Sequence, residues 1–264
     1  MSALAFNNPR VQQLRRLIGR RSSRYDERRF VVEGPVLVAE AIAAGWQADA
    51  QFVATEADGV VQPGIDGAGE VFELAPGVLD RVAPTETPQN PIAIMRMPEV
   101  GALDELLAAG DFILVLDRVS DPGNLGTLLR SAEAAGADLV VLTPGSVDPF
   151  NPKVVRSSAG AIFHIPVVTA TIEEVAAAGA RLVGTTSHDH LGRTVQLHTG
   201  ADLTGRVGIV MGNEAAGLPD EWTDSVGPIG SWVTIEHRGR SESLNVAMAA
   251  TVLVFEAARQ RMSS

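Results

Sequence analysis

After Gly110 the chain sets short, wholly apolar runs between helix-like stretches: Phe112–Leu116, Leu139–Leu142, Phe163–Val168, Leu182–Gly184, Val207–Met211 and Trp232–Ile235. Runs that are apolar at every position, rather than at alternate ones, must be covered on both faces. Alternating with helices, they predict a parallel sheet between helical layers. In such a sheet a ligand sits beyond the carboxyl ends of the strands, so the loops after these runs are where chemistry is expected. The first half has a different grain. Strands at Phe30–Val32, Gln51–Ala54, Val71–Leu74 and Ile92–Met97, a helix over Val36–Ala44 and Gly/Pro turns predict a small α/β domain over residues 1–100. A linker around Pro98 and Leu103–Gly110 leads to the larger domain, residues 111–264.

Charge and composition narrow the function classes. Cysteine is absent, which excludes disulfides, thiolate chemistry, zinc fingers and iron–sulfur clusters. No apolar stretch reaches the ~20 residues of a membrane-spanning helix, and the N-terminal arginines are not followed by a signal-peptide core, so a cytoplasmic protein is expected. The net charge of −11 alone argues against a nucleic-acid partner. Residues 1–30, however, hold eight arginines against Asp26 and Glu27, a local charge of +6. The pattern is a basic arm on an acidic body, with nucleic acid as a possible partner of the arm. Ser187-His188-Asp189-His190 resembles a metal-site fragment but has no further ligand in sequence, and no metal is expected. Trp46, Trp222 and Trp232 read as core or interface residues, and His164, inside an apolar run, as a buried and satisfied histidine.

Three loops carry polar residues at strand ends. Asp117-Arg118-Val119-Ser120-Asp121-Pro122-Gly123-Asn124-Leu125-Gly126-Thr127 opens a helix whose apolar stripe (Leu125, Leu128, Leu129, Ala132) leaves Arg130 on the other side. Val210-Met211-Gly212-Asn213-Glu214-Ala215-Ala216-Gly217 ends a buried strand in a glycine, which permits close approach of a ligand. It matches neither a dinucleotide nor a Walker fingerprint. Ile235 to Ala247 leads into a helix running to about Arg261, with Ser243 as its expected N-cap and Asn245 in its first turn. From Leu244 to Ala258 that helix is apolar nearly all round, and a second copy of the chain is the simplest cover for it.

In this order and at these spacings, Asp121–Thr127 with Arg130, Gly212-Asn213-Glu214 with Gly217, and Ser243-Leu244-Asn245-Val246-Ala247 resemble the three motifs of the SpoU/TrmH family of RNA ribose 2′-O-methyltransferases, within the SPOUT superfamily. Asn151–Gly160 also looks familial, and the resemblance spans roughly residues 111–261. Phe30–Gly34 and Thr87-Pro88-Gln89 make the first half similar to the small substrate-binding domain that precedes this catalytic domain. The resemblance implies a SPOUT parallel sheet with a deep trefoil knot, S-adenosyl-methionine as cofactor, and a homodimer. It implies backbone contacts to the cofactor near Gly212, Ile235 and Leu244, and Arg130 closest to the chemistry, with Asn124, Glu214, Ser243 and Asn245 shaping the site. The substrate would be RNA, ribosomal first and transfer RNA second, met by Arg15, Arg16, Arg20, Arg21 and Arg156. Two departures stand out: Glu236-His237 where the family commonly has Pro-Met, and Asn90 where a glycine is usual. The first keeps open a second expectation, a catalytically inactive RNA-binding protein on the same fold, and the second loosens the match of the substrate domain. A nucleotide-binding oxidoreductase lacks its glycine fingerprint.

Overall fold

A computed structural model describes residues 3–55, 60–187, 192–240 and 243–262. They form two compact units, Met1–Glu99 with Asp148–His164, and Val100–Val147 with Ile165–Ser264.

The first unit holds helices α1 (Pro9–Gly19) and α2 (Arg21–Glu27), strand β1 (Arg29–Glu33), helix α3 (Pro35–Ala43), strands β2 (Ala48–Ala54) and β3 (Glu70–Leu74), helix α4 (Val78–Val82) and strand β4 (Ile92–Arg96). The sheet order is β1-β4-β2-β3, with β4 antiparallel to both its neighbours and β2 parallel to β3. The N-terminal segment is not an arm. Asn8 caps α1 by accepting from the Arg10 N–H at 2.9 Å, and Val11, Leu14 and Leu17 are fully buried against Val31, Phe52, Leu74 and Ile92. Apolar residues at i, i+3 and i+6 commit this helix to the core, whatever the charge between them.

Chain order does not foretell that Asp148–His164 belongs with this first unit. Arg24, almost fully buried, donates to Asp148 at 2.7 Å, Phe30 lies 4.8 Å from Phe150, and the Trp46 indole donates to the Phe163 carbonyl at 3.0 Å. Glu33 accepts from Gln89 N–H at 2.9 Å and from Thr85, so two familial stretches of the first half meet in space. Asn90 accepts from the Ala54 N–H at 2.7 Å, a bond a glycine could not make.

The second unit holds helix α5 (Leu103–Ala109), strand β5 (Phe112–Leu116), helix α6 (Pro122–Ala134) and strand β6 (Leu139–Leu142). Helix α7 (Pro152–Ser157), in the segment given to the first unit, intervenes before strand β7 (Val167–Thr169), helix α8 (Ile172–Ala177), strands β8 (Arg181–Thr185), β9 (Val195–Leu197), β10 (Val207–Met211) and β11 (Ser231–Thr234), and helix α9 (Val246–Arg261). Seven strands run parallel in the order β7-β6-β5-β10-β8-β11-β9. Every residue of β5, β6 and β10 is buried, as their unbroken apolar runs require. The order reverses between β5 and β10, which opens a crevice at their carboxyl ends.

Two expectations fail here. The run Phe163–Val168 is not one strand: Phe163 ends a 3-10 turn and β7 begins only at Val167, because Pro166 lacks the N–H a longer ladder would use. His164 is exposed, not buried, with its Nε2 2.7 Å from Glu40. Of the tryptophans, Trp232 is fully buried, and Trp46 and Trp222 are half-buried. His188, Asp189 and His190 lie outside the described residues, among which no cluster of three or more metal-binding side chains occurs and no helix is long and apolar enough to cross a membrane.

Candidate active site

The loops after β5 and β10 and the start of α9 are joined by one chain of hydrogen bonds. Asp117, buried, accepts from the Thr143 hydroxyl at 2.9 Å, and its N–H donates to the Met211 carbonyl at 2.8 Å, which fixes where the first loop leaves the sheet. Asp121 then caps α6, accepting from Asn124 N–H at 2.8 Å, with Pro122 at the first helical position. Glu214 reaches across from the end of β10. Its carboxylate accepts from the Ser120 N–H at 3.1 Å, the Ser120 hydroxyl at 3.1 Å, the Asp121 N–H at 3.0 Å and the Asn124 amide at 3.2 Å. An anion at the N-terminus of a helix also meets the positive end of the dipole. Partial burial pushes the Glu214 carboxyl up, but the donors from Asp121, its own backbone, Asn124 and Ser120 outweigh this and hold it below its ordinary value. Glu214 is therefore an anion at neutral pH with its lone pairs engaged, which suits it to hold two loops together and not to take a proton.

Asn124 passes the connection on, its Oδ1 accepting from the Asn245 amide at 3.0 Å. Asn245 in turn caps α9, accepting from Ala247 N–H at 2.9 Å and Met248 N–H at 3.3 Å. The cap expected at Ser243 thus falls at Asn245. The amide has an acceptor for the helix and a donor to spare for Asn124, where a carboxylate at the cap would have no donor. Asn245, expected in the first turn, is instead the cap and the residue that ties helix to loop.

Beside this chain lies a cleft of about 460 Å³, bounded by the ends of β8, β10 and β11 and the start of α9. Gly212, Ile235, Leu244, Ser243 and Glu214 line it; Asn124 and Arg130 do not. Arg130 stands exposed on α6, on the side away from Leu125 and Leu128, and makes no hydrogen bond or ion pair among the described residues. Gly212 has a different reason for being glycine than ligand approach. A Cβ there would come within 2.5 Å of the Leu218 nitrogen, because the loop folds back through mutual Asn213–Gly217 backbone bonds of 2.9 and 3.2 Å. His237 lines the cleft, whereas Glu236 turns to Arg238 at 3.4 Å. Sequence reasoning missed Thr185, Thr186 and Ser187 at the end of β8, and Arg193. The first three had a signal, since they follow an apolar run.

The arginines expected at RNA are all on the first unit and are unequal. Arg16 pairs with Glu27 at 3.6 Å, Arg15 lies over the Phe6 ring at 4.5 Å, and Arg21 lies over Tyr25 at 5.4 Å. Arg20 is exposed, and Arg156 is exposed on α7. The +6 of the N-terminal segment is partly cancelled in place, since Arg10 faces Glu70, Arg24 faces Asp148 and Arg29 faces Asp49.

Known proteins share this design. Residues 111–255 match the SpoU rRNA Methylase family, and residues 8–93 match the MRM3-like substrate binding domain. The chain is 34% identical to the 23S rRNA (guanosine(2553)-2′-O)-methyltransferase RlmP of Bacillus subtilis, over 86% of this chain and 87% of that one. It is 32% identical to a 23S rRNA (uridine(2479)-2′-O)-methyltransferase of Streptomyces viridochromogenes, over 98% and 93%. The crystal structure of the SpoU methyltransferase AviRb from Streptomyces viridochromogenes with AdoMet superposes with a TM-score of 0.82 at 30% identity, covering 98% of this chain and 100% of that one. With the motif loops joined at the switch point of a parallel sheet and both halves matched, the chain belongs to the SpoU rRNA methylase family.

Proposed function

We propose that this chain transfers the methyl group of S-adenosyl-methionine to a ribose 2′-hydroxyl of ribosomal RNA. The observation that carries this reading is the Glu214–Asn124–Asn245 connection, which gathers the three motif loops beside a cofactor-sized cleft. The cleft suits an adenosyl group: Leu218, Leu244, Val246 and Leu253 supply apolar wall, and the peptide groups at Gly212 and Ile235 end strands where backbone donors and acceptors are available. When bound, the cofactor supplies an electrophilic methyl on a sulfonium whose charge is lost in transfer. The protein's task is alignment of the hydroxyl.

Arg130 performs it. A ribose hydroxyl is a poor nucleophile at neutral pH, and an arginine, whose high pKa keeps it protonated there, has no lone pair with which to take its proton unaided. The guanidinium fork can hold the hydroxyl and the adjacent phosphate together, and only a neutral guanidine, formed in a site cleared of water, could accept the proton. Glu214, Asn124 and Asn245 position the helix that carries Arg130, and Ser243 borders the cleft. The intact connection speaks for an enzyme over a binding protein that has lost its activity. The test maps 2′-O-methyl positions in total RNA with and without the gene, paired with methyl transfer by the purified chain. Unchanged maps and no transfer would overturn the reading. The names of the two relatives put guanosine in one and uridine in the other, so the nucleotide is left to this map.

The working form proposed is a cytoplasmic homodimer whose C-terminal segment is threaded as a trefoil knot. One face of α9 is buried through Ala250, Leu253, Val254 and Ala257, while Met248, Val252 and Phe255 stay 39–64% exposed along another. Spaced at i, i+4 and i+7, they form one apolar stripe, which water would not leave uncovered on a lone chain. Phe255→Glu with Met248→Glu should convert a dimer into a folded monomer in sedimentation velocity. A wild-type chain that is already a folded monomer at micromolar concentration would dispose of the dimer.

RNA is expected on the first unit. Replacing Arg15, Arg16, Arg20 and Arg21 by Gln should weaken RNA binding and flatten its salt dependence by ~0.7 per lost contact in the log–log slope. Arg16, already paired with Glu27, should contribute least. Calorimetric cofactor affinity should not change, and an unaltered RNA salt slope would assign these arginines to solubility.

A further inference from the structure

Arg193 is only 9% exposed and yet lines the cleft. Its Nε donates to the Trp222 carbonyl and its Nη2 to the Pro219 carbonyl, both at 2.6 Å, and its guanidinium carbon lies 3.9 Å from the centre of the Trp232 ring. The flanking backbone is pinned as well: Gly192 accepts from the Asp224 N–H at 2.8 Å, and the Asp224 carboxylate accepts from the Thr194 N–H at 2.9 and 3.0 Å. The side chain is thus held in one place, with its Nη1 neither hydrogen-bonded among the described residues nor sealed from solvent.

What it lacks is a counter-charge in direct contact. Two arginines are buried among the described residues, and the other, Arg24, has the Asp148 carboxylate at 2.7 Å. Arg193 has only carbonyls as direct partners, and no carboxylate within 4.0 Å among the described residues. Burial pulls its pKa down, against the more distant pull of Asp220 and Glu221. A buried guanidinium with no anion in contact is costly, and such a cost persists where something outside the chain supplies that contact. S-Adenosyl-methionine carries one anionic group, the carboxylate of its methionyl end.

We infer that Arg193 is the cationic seat of that carboxylate, one wall of the cleft being built to hold a guanidinium ready for it. This rests on reading the cleft as the cofactor site. Charge-assisted bonds to a planar fork are the strong class of polar contact, and a pre-held fork loses little freedom on binding.

The test compares S-adenosyl-methionine with its decarboxylated analogue, which keeps adenosine, sulfonium and ammonium and lacks only the carboxylate. Calorimetry on the wild-type chain should give about 10- to 100-fold tighter binding of the intact cofactor, the worth of one hydrogen-bonded charge. Arg193→Gln should abolish that preference by weakening the intact cofactor while leaving the analogue within about threefold, and Arg193→Lys should keep part of it. Equal affinity of the wild-type chain for both ligands would overturn the inference whether or not any variant folds. An equal fall of both affinities in Arg193→Gln would do the same, showing that Arg193 only braces Pro219 and Trp222. No binding of either ligand to the wild-type chain would instead overturn the cofactor site itself, and the inference with it.

Discussion

Arg130→Ala should fold and bind S-adenosyl-methionine as the wild-type chain does, while single-turnover methyl transfer to RNA falls by ~10²–10³, the equivalent of about 3–4 kcal/mol of lost transition-state contact. The separation of effects follows from position. Arg130 is exposed on α6, its side chain makes no hydrogen bond or ion pair among the described residues, and it is absent from the lining of the cleft, so its removal opens no cavity and frees no partner. Arg130→Lys should recover only part of the rate, because an ammonium is a point charge and cannot bridge hydroxyl and phosphate as a planar fork can. Labelled-methyl transfer, calorimetric cofactor binding and a melting curve decide it. Near-normal turnover would remove Arg130 from the mechanism, and a collapsed melting temperature would make it a structural residue.

Glu214→Gln should give the opposite signature, with fold and rate declining together. The substitution keeps the shape but turns one acceptor into a donor that faces the N–H groups of Ser120 and Asp121 and the amides of Asn124 and Asn213. At a site this open the loss of stability should be ~1–2 kcal/mol, below the full value of a charged hydrogen bond. The loss of rate should be larger, ~10–10², because the helix bearing Arg130 would no longer be held and small misplacements are costly in transfer. The pH dependence checks the cause. The carboxyl of Glu214 lies below its ordinary value of 4.5 in the folded chain, so its contribution is fully present above that pH and is lost as pH falls through the lowered value. The stability gap between wild type and Glu214→Gln should therefore be constant at neutral pH and narrow only in acid. A gap unchanged in acid would mean that the carboxylate's hydrogen bonds do not hold the loops.

The parallel sheet of the second unit was legible because burial on both faces leaves a mark at every position. Phe112–Leu116, Leu139–Leu142 and Val207–Met211 are strands at those bounds. The three polar loops were legible for a related reason, since each adjoins a buried apolar run, where the carboxyl ends of parallel strands present their ligand site. What each polar group does was not legible. Asn245 as a cap shared with Asn124, Glu214 as a saturated anion and Gly212 as room for Leu218 depend on partners 2 to 121 residues away in sequence, which spacing cannot supply. Charge misled in the same way. Eight arginines in a row of thirty residues read as an arm, yet Arg24, Arg29, Arg16 and Arg10 find carboxylates once the chain folds, and Leu14 and Leu17 take the helix into the core. Sequence alone determined which segments must be buried, because transfer of apolar surface from water is local and additive. Only the tertiary structure decided which polar groups meet, because a hydrogen bond or an ion pair exists only between groups that the fold brings within about 3–4 Å of each other.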